Sequence, residues 1–279
     1  MPDPLTMIFT HPFLQRAIIA LTLTSMISAT SGTFTVLRGL SFMPSAVAHA
    51  ALGGAALAIY LQSSGLTSFL NPASGALIFS LIVAMVTGYA GERGVTSKME
   101  VAVGVTFAMA MSISVFFMHY IPAEYTPQIW GYLIGDIYLL TVSDLILLSI
   151  ASSTMTILTI IFLKEFTYLS FDMEGLSAHG LDARLYHYLL VTASSLAIAV
   201  ATKAVGAILV YAIMVAPAAA AGEWGKTVTS VSLWAFTIAF TMQIAGLASS
   251  ILWNTSPSAV AGVLVSLIYI GTILRGRRV

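Results

Sequence analysis

VAVGVTFAMAMSISVFFMHYI, residues 101–121, contains no Asp, Glu, Lys or Arg. An α-helix rises about 1.5 Å per residue, so an uncharged run of this length crosses the roughly 30 Å hydrocarbon core of a bilayer. Working outward, the same criterion picks out residues 13–37, 46–62 and 71–90 on one side and 142–163, 186–204, 205–222, 228–252 and 257–274 on the other. Nine spans result. The second is short and the junction at 203–205 is nearly continuous, so counts of eight or ten also fit. The expected fold is an all-α, polytopic membrane helix bundle of about eight to nine transmembrane helices. It forms one domain over residues 1–279, with a short cytoplasmic helix in the polar stretch at about 164–185.

Composition supports the same class. Hydrophobic residues make up 58% of the chain and charged residues 8%, against about 25% charged in a soluble domain. So few charges leave most of the surface to lipid or to other helices. The formal net charge is zero, and no basic excess points to nucleic acid. The absence of cysteine excludes disulfides, thiolate metal sites and Cys nucleophiles. Residues 1–12 carry no Lys or Arg. A secretory signal opens with a basic region, so the first apolar stretch reads as a retained helix.

Basic residues orient a membrane protein because Lys and Arg collect on the cytoplasmic side. With the N-terminus outside and nine spans, the C-terminus is cytoplasmic. Arg38, Arg93, Lys98, Lys164, Arg184, Lys226, Arg275, Arg277 and Arg278 then fall inside, and only Arg16 and Lys203 fall outside. Residues 129–140, with Gly131 and Gly135, read as a broken or re-entrant helix. Such backbone is tolerated at membrane depth where protein or a water-filled cavity covers it. Asp136 and Asp144 flank that piece and either line its vestibule or cap helices. His11, His119 and His187 lie near span ends, where interfacial solvation explains them. Glu92, Arg93, Lys98 and Glu100 read as a solvated loop, and Trp130, Trp224 and Trp253 as interfacial anchors.

Three segments carry the chemistry. In PSAVAHAALGGAALA, residues 44–58, Ala46, Ala50, Gly54 and Ala58 form a small-residue stripe that lets another helix approach closely. Ser45, His49 and Gly53 form the adjacent stripe, since residues four apart share a helix face. An intramembrane histidine is a functional candidate; a metal ligand and a hydrogen bond to a helix carbonyl are both open to it. In VGAILVYAIMVAPAAAA, residues 205–221, Pro217 lies inside the span. Proline leaves the carbonyl of Ile213 without its helical donor, free for a cation pathway or simply part of a kink. In the polar stretch, Phe171, Met173 and Leu176 are apolar residues that either dock on a soluble partner or fold on lipid or on the bundle. The chain has no GxxxxGK[ST] phosphate loop and no GxSxG or HExxH motif. Nucleotide-driven transport therefore requires a second subunit.

Five stretches, taken in order, resemble one family. They are LRGLSFMPSAVAHAALGGAALA (37–58), WGYLIGDIYLLTVSDL (130–145), FDMEGLSAHGLD (171–182), VGAILVYAIMVAPAAAA (205–221) and SPSAVAG (256–262). The chain is similar through them to the permease subunits of metal-ion ABC importers, which bring manganese, zinc or iron into cells. The resemblance implies a non-enzymatic subunit of the cell membrane, moving zinc or manganese by alternating access. It implies a separate ABC ATPase that binds ATP, an extracytoplasmic metal-binding protein, a second copy of the chain, and no tightly bound cofactor beyond the transported ion. By the same resemblance Phe171, Asp172, Met173, Glu174, Leu176, Gly180 and Leu181 couple to the ATPase, His49 corresponds to a gate histidine, and Gly53, Gly54 and Pro217 shape the pathway. The family normally has Asp four residues before that histidine and Pro at the position of Gly53; here the first is Ser45. A permease for a metal chelate or other small solute, and an ion-coupled secondary transporter, are the alternatives.

Overall fold

The computed structural model describes residues 11–67, 69–91, 96–135 and 137–276. Residues 1–10, Glu92, Arg93, Asp136, Arg277 and Arg278 lie outside the described residues. The described residues are helical and contain no strand. The helices are α1 (Pro12–Leu37), α2 (Met43–Ser63), α3 (Pro72–Gly91), α4 (Thr96–Tyr120), α5 (Thr126–Ile134), α6 (Val142–Ile161), α7 (Leu163–Phe171), α8 (Met173–Ala178), α9 (Ala183–Val205), α10 (Ala207–Gly222), α11 (Val228–Trp253) and α12 (Pro257–Gly276). Eight of these are long and apolar enough to cross a membrane, and α10 is a ninth, shorter apolar helix.

Helix ends follow local chemistry. Pro12, Pro44 and Pro127 occupy first-turn positions, where proline's missing N–H costs nothing. Thr141 and Asp144 form a reciprocal capping box at the start of α6. Thr227 caps α11 through the N–H of Ser230. Asn254 ends α11 in the left-handed region, with φ of 51°.

The near-continuous junction at 203–205 resolves at Gly206, whose φ of 87° separates α9 from α10. Gly135 ends α5 with φ of 85°. The two glycines meet backbone to backbone. A Cβ on Gly135 would lie 2.3 Å from the carbonyl carbon of Val205, and one on Gly206 would lie 2.3 Å from that of Ile134. The short α5 therefore stops where the α9–α10 break receives it, and protein covers this irregular backbone.

α2 is the central helix. Its most apolar window is 83% buried, against 22% for the corresponding windows of α4, α6 and α12. The outer helices present Ile146, Ile150, Ile157 and Ile160 on α6 and Val263, Leu267 and Ile270 on α12, a surface suited to lipid. Trp130, in the short α5, and Trp224 and Trp253, at helix ends, are about half exposed or more, as interfacial aromatic residues are. The small-residue stripe acts as its spacing predicts: Ala46, Ala50 and Ala58 are fully buried. Gly54 meets Gly75 of α3 so closely that a Cβ on Gly54 would lie 2.1 Å from the Gly75 carbonyl oxygen.

α1 changes its winding midway. Ser28–Gly32 form a π-helical turn, and such a turn shifts the helix face and is common near functional elements. Here it brings Gly32 against Met214 of α10, where a Cβ would lie 2.4 Å from the Met214 carbonyl oxygen. Beside it, buried Gln243 of α11 accepts a hydrogen bond from Thr24 at 2.9 Å and donates to Ser25 at 2.8 Å. This polar group between helices is satisfied from both sides.

Candidate functional site

His49 lies in the second turn of α2, partly buried, with its ring edge-on to Phe107 of α4 at 4.9 Å between centroids. Its Nδ1 is 2.8 Å from the backbone oxygen of Ser45. A carbonyl can only accept, so Nδ1 carries the proton and Nε2 keeps its lone pair. That is the tautomer in which imidazole can ligate a metal through Nε2. One nitrogen thus bonds a carbonyl of its own helix, and the other keeps a lone pair. The Ser45 side chain is buried; its carbonyl, rather than its hydroxyl, is what holds His49.

Gly53 continues the face. A Cβ there would lie 2.9 Å from Ser114 Oγ of α4. That hydroxyl is 3.2 Å from the His49 carbonyl oxygen and 2.7 Å from the Ala110 carbonyl oxygen. Gly53 thus lets α4 pack against the turn that carries His49. Ser114 was not singled out from sequence, because a serine in an apolar run has no distinguishing signal until its neighbour is known. Among the described residues no three His, Asp or Glu side chains converge on a point. One chain therefore contributes a single imidazole here, short of the three or four ligands of a resident metal site.

Pro217 is buried inside α10. The Ile213 carbonyl it frees is occupied: Ser28 Oγ donates to it at 2.6 Å. This corrects the expectation of an open carbonyl. The hydroxyl comes from the π-helical turn of α1, which no pattern within α10 reveals.

The polar stretch after α6 folds as α7 and α8. Phe166 and Leu169 of α7 are buried. Asp172 caps α8, accepting from the Gly175 N–H at 2.8 Å. Gly180, with φ of 79°, closes α8 in the left-handed conformation typical of a helix end, and Asp182 caps α9. The residues proposed from sequence separate into two groups. Phe171 is 67% exposed and Leu181 38%; Asp172, Glu174 and Gly180 are exposed as well, and Met173 is half-buried. Leu176 is only 1% exposed, so it anchors α8 to the bundle and does not face outward.

Two further constellations emerge. Lys203, near the end of α9, pairs with Asp144 of α6 at 2.5 Å. Asp144 thus caps its helix and also neutralises one of the two basic residues that the orientation rule left outside. The second constellation corrects the reading of His187 as a solvated end residue: it is fully buried. Its Nδ1 is 2.6 Å from a guanidinium nitrogen of Arg38, and its Nε2 is 2.9 Å from the Gly88 carbonyl oxygen of α3. Burial pulls the Arg38 pKa down to about 10, which leaves it charged at neutral pH. His119 and His11 are exposed, in keeping with positions at span ends.

Comparison with known proteins gives the family. The model of the ABC 3 transport family matches residues 10–276. The "Manganese transport system membrane protein MntC" of Listeria innocua is 28% identical over 259 residues, covering 93% of this chain and 89% of that one. The "High-affinity zinc uptake system membrane protein ZnuB" of Haemophilus influenzae is 23% identical over 254 residues, covering 91% and 94%. Among solved structures, PsaBC from Streptococcus pneumoniae in complex with Fab superposes with a TM-score of 0.81 at 25% identity, covering 96% of this chain and 93% of that one. The chain is a multi-pass membrane protein of the ABC 3 transport family.

Proposed function

We propose that the chain is the membrane-spanning subunit of an ATP-driven importer for a divalent transition-metal ion, zinc or manganese. The observation that carries this reading is family membership over residues 10–276. Relatives named for manganese and for zinc transport align over more than nine-tenths of the chain, which supports a bare metal ion as cargo. The missing phosphate loop supports a separate ATPase, since a chain with no nucleotide-binding motif needs a partner to use ATP.

In this reading two copies enclose the pathway, and an extracytoplasmic binding protein delivers the ion. The N-terminus lies outside and the C-terminus in the cytoplasm. His49 offers Nε2 to the passing ion, and a second copy would supply a second imidazole. Such a sparse donor set suits transient contact, which transport requires, better than tight retention. The exposed face of Phe171, Asp172, Glu174 and Leu181 docks on the ATPase, while Leu176 ties α8 to the bundle so that force applied outside reaches the helices. Chemistry stays on the partner; this chain changes shape.

Co-expression with the ATPase and binding protein, followed by reconstitution in liposomes, tests the class. Metal accumulation that requires ATP and the ATPase is expected. Uptake by this chain alone, driven by an ion gradient, would overturn the reading in favour of a secondary transporter.

A further inference from the structure

Arg38 is a charged side chain only 8% exposed, and its partner His187 is fully buried. A guanidinium can only donate hydrogen bonds. The 2.6 Å contact from Arg38 therefore ends on the lone pair of His187 Nδ1. The His187 proton must then sit on Nε2, where it is donated to the Gly88 carbonyl oxygen at 2.9 Å. The direction of both bonds is fixed, and the ring is neutral. Three separate helices meet in this relay: α1 at its end, α9 one turn past its start, and α3 near its end.

The position of the relay gives it a use. α9 is the helix that follows the exposed α8, joined to it through Gly180 and capped by Asp182. Arg38 begins the short loop that leads into Met43, the first residue of α2, and α2 carries His49. The helix before α8 touches the same end of α1, because Phe166 of α7 packs edge-on against Phe34 at 5.6 Å. Both helices that flank α8 therefore grip the root of the loop to α2. Separating Arg38 from His187 would leave a buried charge without this acceptor, a costly state, so the elements are held to move together.

We propose that Arg38 and His187 are positioning residues that transmit movement of the Phe171–Leu181 segment to α2 and its His49. The inference rests on the reading of the chain as the permease of an ATP-driven importer. Neither residue touches the cargo; the relay sets where α2 sits when the outer segment is displaced.

The test uses the complete reconstituted importer, with His187→Leu, His187→Gln and Arg38→Met compared with wild type. Glutamine can accept from Arg38 through Oε1 and donate to Gly88 through Nε2, so it preserves the relay without the ring. A reporter thiol, Gln62→Cys at the exposed far end of α2, is the only cysteine in the chain. Its labelling rate with and without ATP plus vanadate reads movement of α2 and needs no cargo. In His187→Leu and Arg38→Met, metal moved per ATP hydrolysed is expected to fall by about tenfold, in the usual range for a lost coupling between sites. The nucleotide-dependent change in labelling should vanish with it, while ATP hydrolysis persists. His187→Gln should recover most of both, and the double variant Arg38→Met/His187→Leu should be no worse than either single change.

Unchanged metal per ATP and unchanged labelling in His187→Leu would overturn the proposal. Failure of His187→Gln to recover, with the complex intact, would also overturn it, because ring packing and not hydrogen bonding would then be at work. If His187→Leu does not assemble, Arg38→Met and His187→Gln decide by the same two readouts. A wild-type complex that changes labelling with nucleotide but moves no metal would overturn the cargo reading alone, and the labelling comparison would still judge the relay.

Discussion

Gly54 shows how much one missing carbon decides. A methyl group there would lie 2.1 Å from the Gly75 carbonyl oxygen, and backbone cannot step aside as a flexible side chain can. Gly54→Ala is expected to lower stability by about 1–3 kcal/mol, the range for overpacking, read as an earlier thermal transition of the purified protein in detergent. An unshifted transition would show that α2 and α3 separate easily. Ser28 offers a sharper test. Its hydroxyl occupies the Ile213 carbonyl that Pro217 leaves open. Ser28→Ala should cost roughly 1–3 kcal/mol, the penalty for an unsatisfied buried group. In a Pro217→Ala background the restored backbone N–H can reach the same carbonyl, so the cost of Ser28→Ala should shrink. Equal costs in the two backgrounds would mean the hydroxyl does something else. From sequence, the freed carbonyl was legible and its partner was not: Ser28 lies 185 positions away, and only the fold joins them.

Among the elements, the pair α7–α8 was legible as a polar interruption with turn and capping residues, and those residues act as their chemistry predicts. Asp172 and Asp182 cap and Gly180 turns. The side each apolar residue faces was not legible, because helices of nine and six residues are too short for a periodic pattern to point inward or outward. The structure assigns Leu176 inward and Phe171 outward. Phe171→Ala should therefore weaken association with the ATPase and lower ATP-driven uptake while the thermal transition stays put. Leu176→Ala should shift the transition, as loss of a buried leucine costs about 2–5 kcal/mol. Pull-down of the ATPase and melting, run on both variants, separate the roles; the reverse pattern would exchange them. Asp144 and Lys203 illustrate a similar limit. Capping by Asp144 was one of two local readings, but its pairing with Lys203 joins α6 to α9, a contact between helices far apart in the chain.

For the molecule as a whole, the all-α membrane bundle was legible throughout, because long uncharged runs leave a chain no other way to satisfy its backbone in lipid. Which helix is central was harder to read. All the spans are apolar, so hydropathy does not distinguish a lipid-facing helix from a buried one. The small residues of α2 indicated only that another helix approaches closely; the structure makes α2 the most enclosed of the membrane-length helices. The buried Arg38–His187 relay escaped notice because the orientation rule treats every arginine near a span end as solvated. These features converge on one account. In the proposed function, His49 offers Nε2 from the most enclosed of the membrane-spanning helices, and force enters through the exposed face of Phe171, Asp172, Glu174 and Leu181. The measurement that tests it most directly is ATP-dependent accumulation of zinc, manganese, iron and cobalt in liposomes holding the full importer, with His49→Ala beside wild type. The account predicts uptake of zinc or manganese by wild type and its loss in His49→Ala, with assembly and ATP hydrolysis retained. Uptake in His49→Ala equal to wild type would place the pathway away from α2, and no uptake of any metal by an intact, ATP-hydrolysing complex would contradict a bare metal ion as the cargo.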